Sequence, residues 1–257
     1  MTELVRVVLD QGVQIVTLNR PDKKNALSNE MYVALAAALE RAHADVAVRC
    51  VLFQAEGDSF TAGNDLADFT AVATGKLARS DMKSSLFLSA LARAQKPLVA
   101  AVQGQAVGIG VTMLLHCDLV YVAEDARLST PFVNLGLVPE AASSLLLPAR
   151  IGYARAYQMF ALGEALDGRT AASLGIANLS VPAGELRATA MAAARKLVGK
   201  PIAALKAMKA LVRDAELIQA TMNREAEVFG ARLKGPETLE ALNAFAEKRV
   251  PDFSRFS

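Results

Sequence analysis

The amino-acid sequence predicts an α/β fold built on a largely parallel sheet, and three features carry that prediction. Strand-like and helix-like patterns alternate through roughly the first sixty residues. Two short runs, Leu98 to Val102 and Leu119 to Ala123, are apolar without interruption, as strands covered on both faces are. Beyond about residue 145 strand signals fade and helical periods take over. Repeated strand, helix, strand units connect right-handedly, which makes the sheet parallel.

Taken in order, Leu4 to Leu9 and Val13 to Asn19 read as strands joined by a hairpin turn at Gln11-Gly12. Ser28 is a candidate N-cap. The helix after it carries Met31, Leu35, Ala38 and Leu39 on one face. A strand follows at Arg49 to Gln54, and a helical stretch around Gly108 to His116 separates the two buried strands. In the tail, Met222, Ala226, Phe229 and Leu233, then Leu239, Leu242 and Ala246, mark two helices. Lys200-Pro201 and Gly235-Pro236 punctuate the tail, because proline fits a first helical turn but not an interior one. This divides the chain into an α/β core, 1–195, and a helical region, 196–257. The tail's apolar stripe needs a covering surface, and a neighbouring subunit is the expected one.

With 257 residues, 53% of them apolar and 21% charged, the chain can bury a sizeable core without staples. No uncharged apolar run reaches the roughly eighteen residues of a membrane span, so a soluble protein is expected. The start, Met1-Thr2-Glu3-Leu4-Val5-Arg6, lacks the features of a secretory signal, which points to the cytoplasm. A formal charge of +2, evenly spread, excludes the clustered basic face that nucleic acid requires. Cys50 and Cys117 lie in apolar runs and read as buried reduced thiols; no metal site is expected.

Three segments carry chemistry. Phe60-Thr61-Ala62-Gly63-Asn64-Asp65-Leu66 sets small residues after a strand and the turn Glu56-Gly57-Asp58, so a ligand can approach the backbone closely. Taken alone, it reads more simply as an ordinary strand-to-helix connection. From Val102 to Gly110, three glycines leave a strand and enter a helix, whose first amides can hold an anion. Their spacing, G-x-x-x-G-x-G, matches neither a dinucleotide fingerprint nor a phosphate loop. Amides from the two loops could together meet one carbonyl oxygen, as enolate stabilisation requires.

The third segment, Leu135 to Ser144, places one acid, Glu140, among apolar and small residues. Desolvation there raises a carboxyl pKa, whereas a helix start near Ser143 lowers it. The same acid also suits a first helical turn, and by itself that reading is the stronger. His43 and His116 lack a partnered nucleophile and read as structural, while Asp65, Asp118, Glu124 and Asp125 fall at element ends where acids cap.

Asn19-Arg20-Pro21, Asn25-Ala26-Leu27, the Ala62-Gly63 loop, Val102 to Gly110, Cys117-Asp118 and Phe245-Ala246-Glu247-Lys248-Arg249 occur in an order that resembles the crotonase superfamily of enoyl-coenzyme A hydratases and isomerases. The likeness runs from the first strands to Pro251-Asp252-Phe253. It implies the ClpP/crotonase-like spiral of ββα units with a C-terminal helical trimerisation region, and a homotrimer or dimer of trimers. It also implies an acyl-CoA thioester substrate, no separate cofactor, and an oxyanion hole from the Asn64 and Ile109 amides.

Hydratases of the superfamily hold water between two glutamates; here those positions carry Thr112 and Phe132, neither of which can take a proton from water. Gly63-Asn64-Asp65-Leu66, Val107-Gly108-Ile109, Thr130-Pro131-Phe132 and Pro139-Glu140 with Ser143-Ser144 look like the peroxisomal-type Δ3,Δ2-enoyl-CoA isomerases. That branch implies Glu140 as catalytic base in fatty-acid β-oxidation. The resemblance further implies substrate contacts at Lys24, Ala26, Thr61, Ala62, Gly63, Asn64, Asp65, Leu66, Gly108, Phe132, Phe245 and Lys248, with Lys23 also available to the phosphates. The segment Thr70 to Ser85 is expected to shape the acyl tunnel as a mobile loop. The chain is expected to differ from eukaryotic members in carrying neither their added acyl-binding module nor their peroxisomal ending. Rival readings are a hydratase or ring-type acyl-CoA isomerase of the same superfamily, and a non-catalytic acyl-CoA-binding member.

Overall fold

The computed structural model of the protein describes residues 3–78 and 81–256. The chain opens with β1 (Val5–Asp10) and β2 (Val13–Leu18), an antiparallel hairpin with Gln11 and Gly12 at φ 47° and 85°. Positive φ at both turn residues matches the twist of the strands they join. α1 (Asn29–Ala44) follows, capped by Ser28, whose hydroxyl accepts from the Met31 amide. It buries Met31, Leu35, Ala38 and Leu39 as their spacing predicts, together with Tyr32.

β3 (Cys50–Ala55), α2 (Leu66–Ala73), α3 (Ser84–Ala92) and β4 (Leu98–Val102) come next. β5 (Gln105–Val107), α4 (Ile109–Thr112), β6 (Leu119–Ala123) and β7 (Arg127–Ser129) follow. The remainder is α5 (Ser143–Ile151), α6 (Tyr153–Leu162), β8 (Leu166–Asp167), α7 (Gly168–Ser173), β9 (Leu179–Val181) and α8 (Leu186–Val198). The tail helices are α9 (Ile202–Val212), α10 (Ala215–Leu233) and α11 (Pro236–Ala246).

The main sheet runs β1-β2-β3-β4-β6-β9, parallel throughout after the hairpin, and a small second sheet runs β5-β7-β8. All five β4 side chains are buried, as the uninterrupted apolar run predicts, and α8 packs across β3, β4 and β6.

Several expectations need correction. Strand does not end near residue 145: β8 and β9 lie beyond it, and β5 sits between β4 and the glycine-rich helix start. Each is two or three residues long, too short to show a period of two.

Much of the tail stripe is covered within the chain, while Leu211, Val212 and Phe245 of the tail stay exposed. Phe229 and Leu233 of α10 and Leu242 of α11 join Phe69 and Val72 of α2, with Phe132 and Leu137, in a second apolar cluster. α10 also packs on α3 and α5. Two stripe positions are exposed, Ala226, which also lines the cavity described below, and Ala246; the buried face of α11 is Thr238, Glu240, Ala241, Leu242 and Ala244. Amphipathic spacing shows which side of a helix is covered, not what covers it.

Candidate active site

Two loops meet at the C-terminal ends of β3 and β4. The first is fixed by Asn25, fully buried, whose Nδ2 donates to the carbonyls of Glu56 and Ser59 at 2.8 Å each. Its own carbonyl accepts from Thr61 Oγ1 at 2.7 Å, and the same hydroxyl accepts from the Gly63 amide at 3.0 Å. Gly63 has φ +93°, and a Cβ there would stand 2.9 Å from the Val107 carbonyl oxygen. The loops are therefore in direct contact, and glycine is what permits it. In the second loop Gly108, at φ 54° and ψ −112°, turns the chain from β5 into α4. Its amide donates to Ser129, tying the turn to β7.

Asn64 and Ile109 stand on either side of this contact. Asn64 pairs with Leu27 through its neighbours, since Leu27 donates to the Gly63 carbonyl and Asp65 donates to the Leu27 carbonyl. Ile109 is the first residue of α4, where amides have no partner in their own helix. Among the described residues neither amide donates to a protein acceptor. Two amides without a protein acceptor, on touching loops, are donors open to an oxygen placed near both.

Glu140 faces the same space. It and Asn64 line one cavity of about 310 Å³, together with Phe69, Met82, Leu88, Met222 and Phe229. A second cavity of about 50 Å³ adjoins through Asn64, Phe69 and Phe229, and is lined also by Ala62, Gly63, Leu66, Gly108 and Phe132. Burial pushes the Glu140 carboxyl up to about 7, opposed by a 2.5 Å hydrogen bond from Thr112 Oγ1 and reinforced by the Glu225 charge. Burial outweighs the Thr112 hydrogen bond, and the net direction, open in the sequence, is upward.

The chain after Glu140 is unusual. Ala141 and Ala142 both lie in the left-handed region, at φ 61° and 56°. A non-glycine residue there costs on the order of 1–3 kcal/mol, so two in succession must be held by their surroundings. His116, on the 3₁₀ turn that follows α4, holds one side: its Nε2 donates to the Ala141 carbonyl at 2.8 Å, while its Nδ1 accepts from Arg213. Burial and the Arg213 charge lower this histidine to about 3, so it is neutral and that tautomer is fixed. On the other side Glu225 of α10 accepts from the Ala142 amide at 2.6 Å, the Ser144 amide at 2.9 Å and the Ser144 hydroxyl at 2.5 Å.

Other expected residues fall where their types suggest. Asp65 caps α2 through the Ala67 amide and pairs with Arg20 at 2.8 Å, and the hydrogen bond from Arg20 helps to lower its pKa against burial. Asp118 pairs with buried Lys209 at 2.7 Å, and Cys50 and Cys117 are free and buried. Lys24 and Lys23 are exposed beside half-buried Ala26, and Phe245 and Lys248 are exposed at the end of α11; none of these lines either cavity. Of the segment Thr70 to Ser85, Thr70 to Ala73 continues α2 and Met82, Ser84 and Ser85 line the larger cavity. Residues 79 and 80 lie outside the described residues.

Sequence reasoning missed Tyr32, whose hydroxyl donates to Asn64 Oδ1 at 2.5 Å, and Glu225. Signals for both existed. Tyr32 recurs with Leu35, Ala36 and Leu39 on the inner face of α1, and Glu225 sits between Met222 and Phe229 on the apolar stripe of α10. A polar group on a buried stripe implies a specific partner.

Spiral α/β core, contacting oxyanion-type loops and a buried carboxyl together define a crotonase-fold thioester enzyme. The chain belongs to the enoyl-CoA hydratase/isomerase family, whose profile matches residues 9–255. It is 33% identical over 260 residues to 1,2-epoxyphenylacetyl-CoA isomerase of Escherichia coli (strain K12), covering 99% of each chain. It is also 33% identical to enoyl-CoA delta isomerase 2 of Rattus norvegicus over 251 residues, 95% of this chain and 64% of that protein. A crystal structure of an enoyl-CoA hydratase/isomerase from Pseudoalteromonas atlantica T6c superposes with a TM-score of 0.92 at 42% identity, over 98% of this chain and all of that one. Among the described residues no helix is long and apolar enough to cross a membrane.

Proposed function

We propose that this protein is an acyl-CoA double-bond isomerase, converting 3-enoyl-CoA to trans-2-enoyl-CoA with Glu140 as its single acid–base group. The observation that carries this reading is that Glu140 is the one carboxyl lining either cavity among the described residues, beside the Asn64 loop. Glu225 is nearby, but both its oxygens are occupied by Ala142 and Ser144. By the family resemblance Thr112 and Phe132 stand where a water-holding pair would need acids, and among the described lining residues Glu140 has no second acid beside it to activate water.

The reaction then needs one proton moved between two carbons. Glu140 as carboxylate takes the proton from C2; the electron pair spreads through C1 onto the thioester oxygen, which accepts hydrogen bonds from the Asn64 and Ile109 amides, and through the C3–C4 double bond onto C4. The protonated acid returns the proton at C4 as the C2–C3 double bond forms, leaving no net change in charge or composition. A carboxyl poised near 7 suits both halves, because it neither holds nor releases the proton too strongly at neutral pH. The apolar wall of Phe69, Met82, Leu88, Met222 and Phe229 keeps bulk water from the dienolate.

Purified protein should convert 3-enoyl-CoA to trans-2-enoyl-CoA and leave trans-2-enoyl-CoA of the same length unhydrated. Consumption of the 2-enoyl thioester would instead identify a hydratase, and thioester binding with no deuterium entering C2 in heavy water would identify a non-catalytic binder.

A further inference from the structure

We propose that Glu225 is a positioning residue for Glu140: from α10 it holds the left-handed Ala141-Ala142 turn and so fixes where the Glu140 carboxyl points. This rests on the reading of Glu140 as base for its kinetic consequence, but not for its structural one.

A helix normally caps itself with a side chain at or just before its first residue. The cap position of α5 is Ala142, which has no such side chain. Glu225 supplies the missing acceptor from 81 to 83 positions further along the chain, taking the amides of Ala142 and Ser144 and the Ser144 hydroxyl. It is buried, 6% exposed, and burial raises its pKa, opposed by these three donors and by the Arg224 charge. His116 grips the preceding carbonyl from the opposite side, with Arg213 behind it. Clamped at Ala141 and at Ala142, the backbone cannot relax from its positive φ values, and Glu140 is held one residue upstream against Thr112.

The same helix reaches the cavity. Met222 and Ala226 line it, and they flank Glu225 on α10. A group occupying the cavity thus presses on the element that carries the clamp, which couples the fit of the acyl chain to the aim of the base.

Glu225→Gln is nearly isosteric, yet its amide nitrogen must face donors, so at least one of the three bonds is lost. In a crystal structure of that variant we expect Ala141 and Ala142 to leave the left-handed region and the Glu140–Thr112 bond to break; an unmoved turn overturns the proposal. With 3-enoyl-CoA we expect kcat to fall by about 10- to 100-fold while KM moves less than about threefold, the signature of a misplaced catalytic group. Adding Ala142→Gly, which removes the steric penalty of positive φ at that site, should recover about a tenfold share of kcat. A fall in kcat that glycine does not recover, with an equal fall in thermal midpoint, means a merely structural role and also overturns it. If Glu225→Gln does not fold, Glu225→Asp, which keeps the charge but shortens the reach, is read by the same structure and kinetics. If Glu140→Gln proves fully active, the base assignment fails by itself, and the crystal structure of the Glu225 variant still decides the positioning role.

Discussion

At the scale of single residues, Glu140 owes its character to a contest between burial and one hydrogen bond. Burial raises it to about 7 and the Thr112 hydroxyl pulls it down. With Glu140 as base, the active form is the carboxylate, so kcat/KM should rise with pH through an ionisation near 7 and level off above it. Thr112→Val removes the bond that favours the charged form, so this limb should move to higher pH; a pH–rate profile that moves down, or not at all, rejects the assignment. Glu140→Gln should keep the fold and lose turnover by a factor on the order of 100 or more, measured as initial rates with 3-enoyl-CoA. The sequence marked out Glu140 as an acid flanked by Leu137, Val138 and Pro139, but opposing effects of burial and a helix start left its pKa direction open, and spacing alone favoured a plain first-turn acid. The surrounding contacts were not legible: Tyr32 to Asn64, Thr112 to Glu140 and Glu225 to Ala142 span 28 to 83 positions of sequence, and local spacing carries no record of such contacts.

At the scale of elements, the site depends on two loops touching. Gly63 brings the β3 loop against Val107, and Gly108 turns β5 into α4, so that the free amides of Asn64 and Ile109 flank one contact. Gly63→Ala meets both a φ of +93° and a Cβ 2.9 Å from a carbonyl oxygen, and neither a rotamer nor a flexible neighbour can relieve backbone pressing on backbone. The loops must part. We expect kcat to drop on the order of 100- to 1000-fold, the loss typical of one oxyanion donor, while far-ultraviolet circular dichroism stays unchanged; retained turnover would mean that these amides do not hold the thioester oxygen. The sequence showed both glycine-bearing loops and ruled out a nucleotide fingerprint, because those are matters of spacing. It could not show the β5-β7-β8 sheet that fixes the second loop, because strands of two and three residues are set by their partners and not by their own pattern.

At the scale of the whole molecule, the α/β class was readable from uninterrupted apolar strands, whereas the course of the tail was not. The tail closes over α2, α3 and α5 to complete the cavity, so stability and site are linked through it. Two acids make that link visible in opposite pH ranges. Glu240, bound by Arg249, Arg255 and the Asp252 amide, is held down to about 2; its contribution is present above the ordinary carboxylate pKa and is lost as pH falls towards 2. Glu240→Gln should accordingly speed amide hydrogen exchange in residues 249–255 at neutral pH and make little difference near pH 2. Glu140 has the reverse sign. Its folded pKa lies above the unfolded value of 4.5, so ionisation is harder in the native protein, and the resulting penalty grows from pH 4.5 to about 7 and is constant beyond. At 1.36 kcal/mol per pKa unit, the shift from 4.5 to about 7 makes the full penalty roughly 3 kcal/mol. Glutamine carries no such penalty and can still accept from Thr112, so Glu140→Gln should be more stable than the parent at pH 8 and equal to it near pH 4. Urea midpoints at the two pH values decide the matter. A variant no more stable at pH 8 would mean that the carboxyl is well solvated, and a solvated carboxyl could not serve as a base tuned near neutrality.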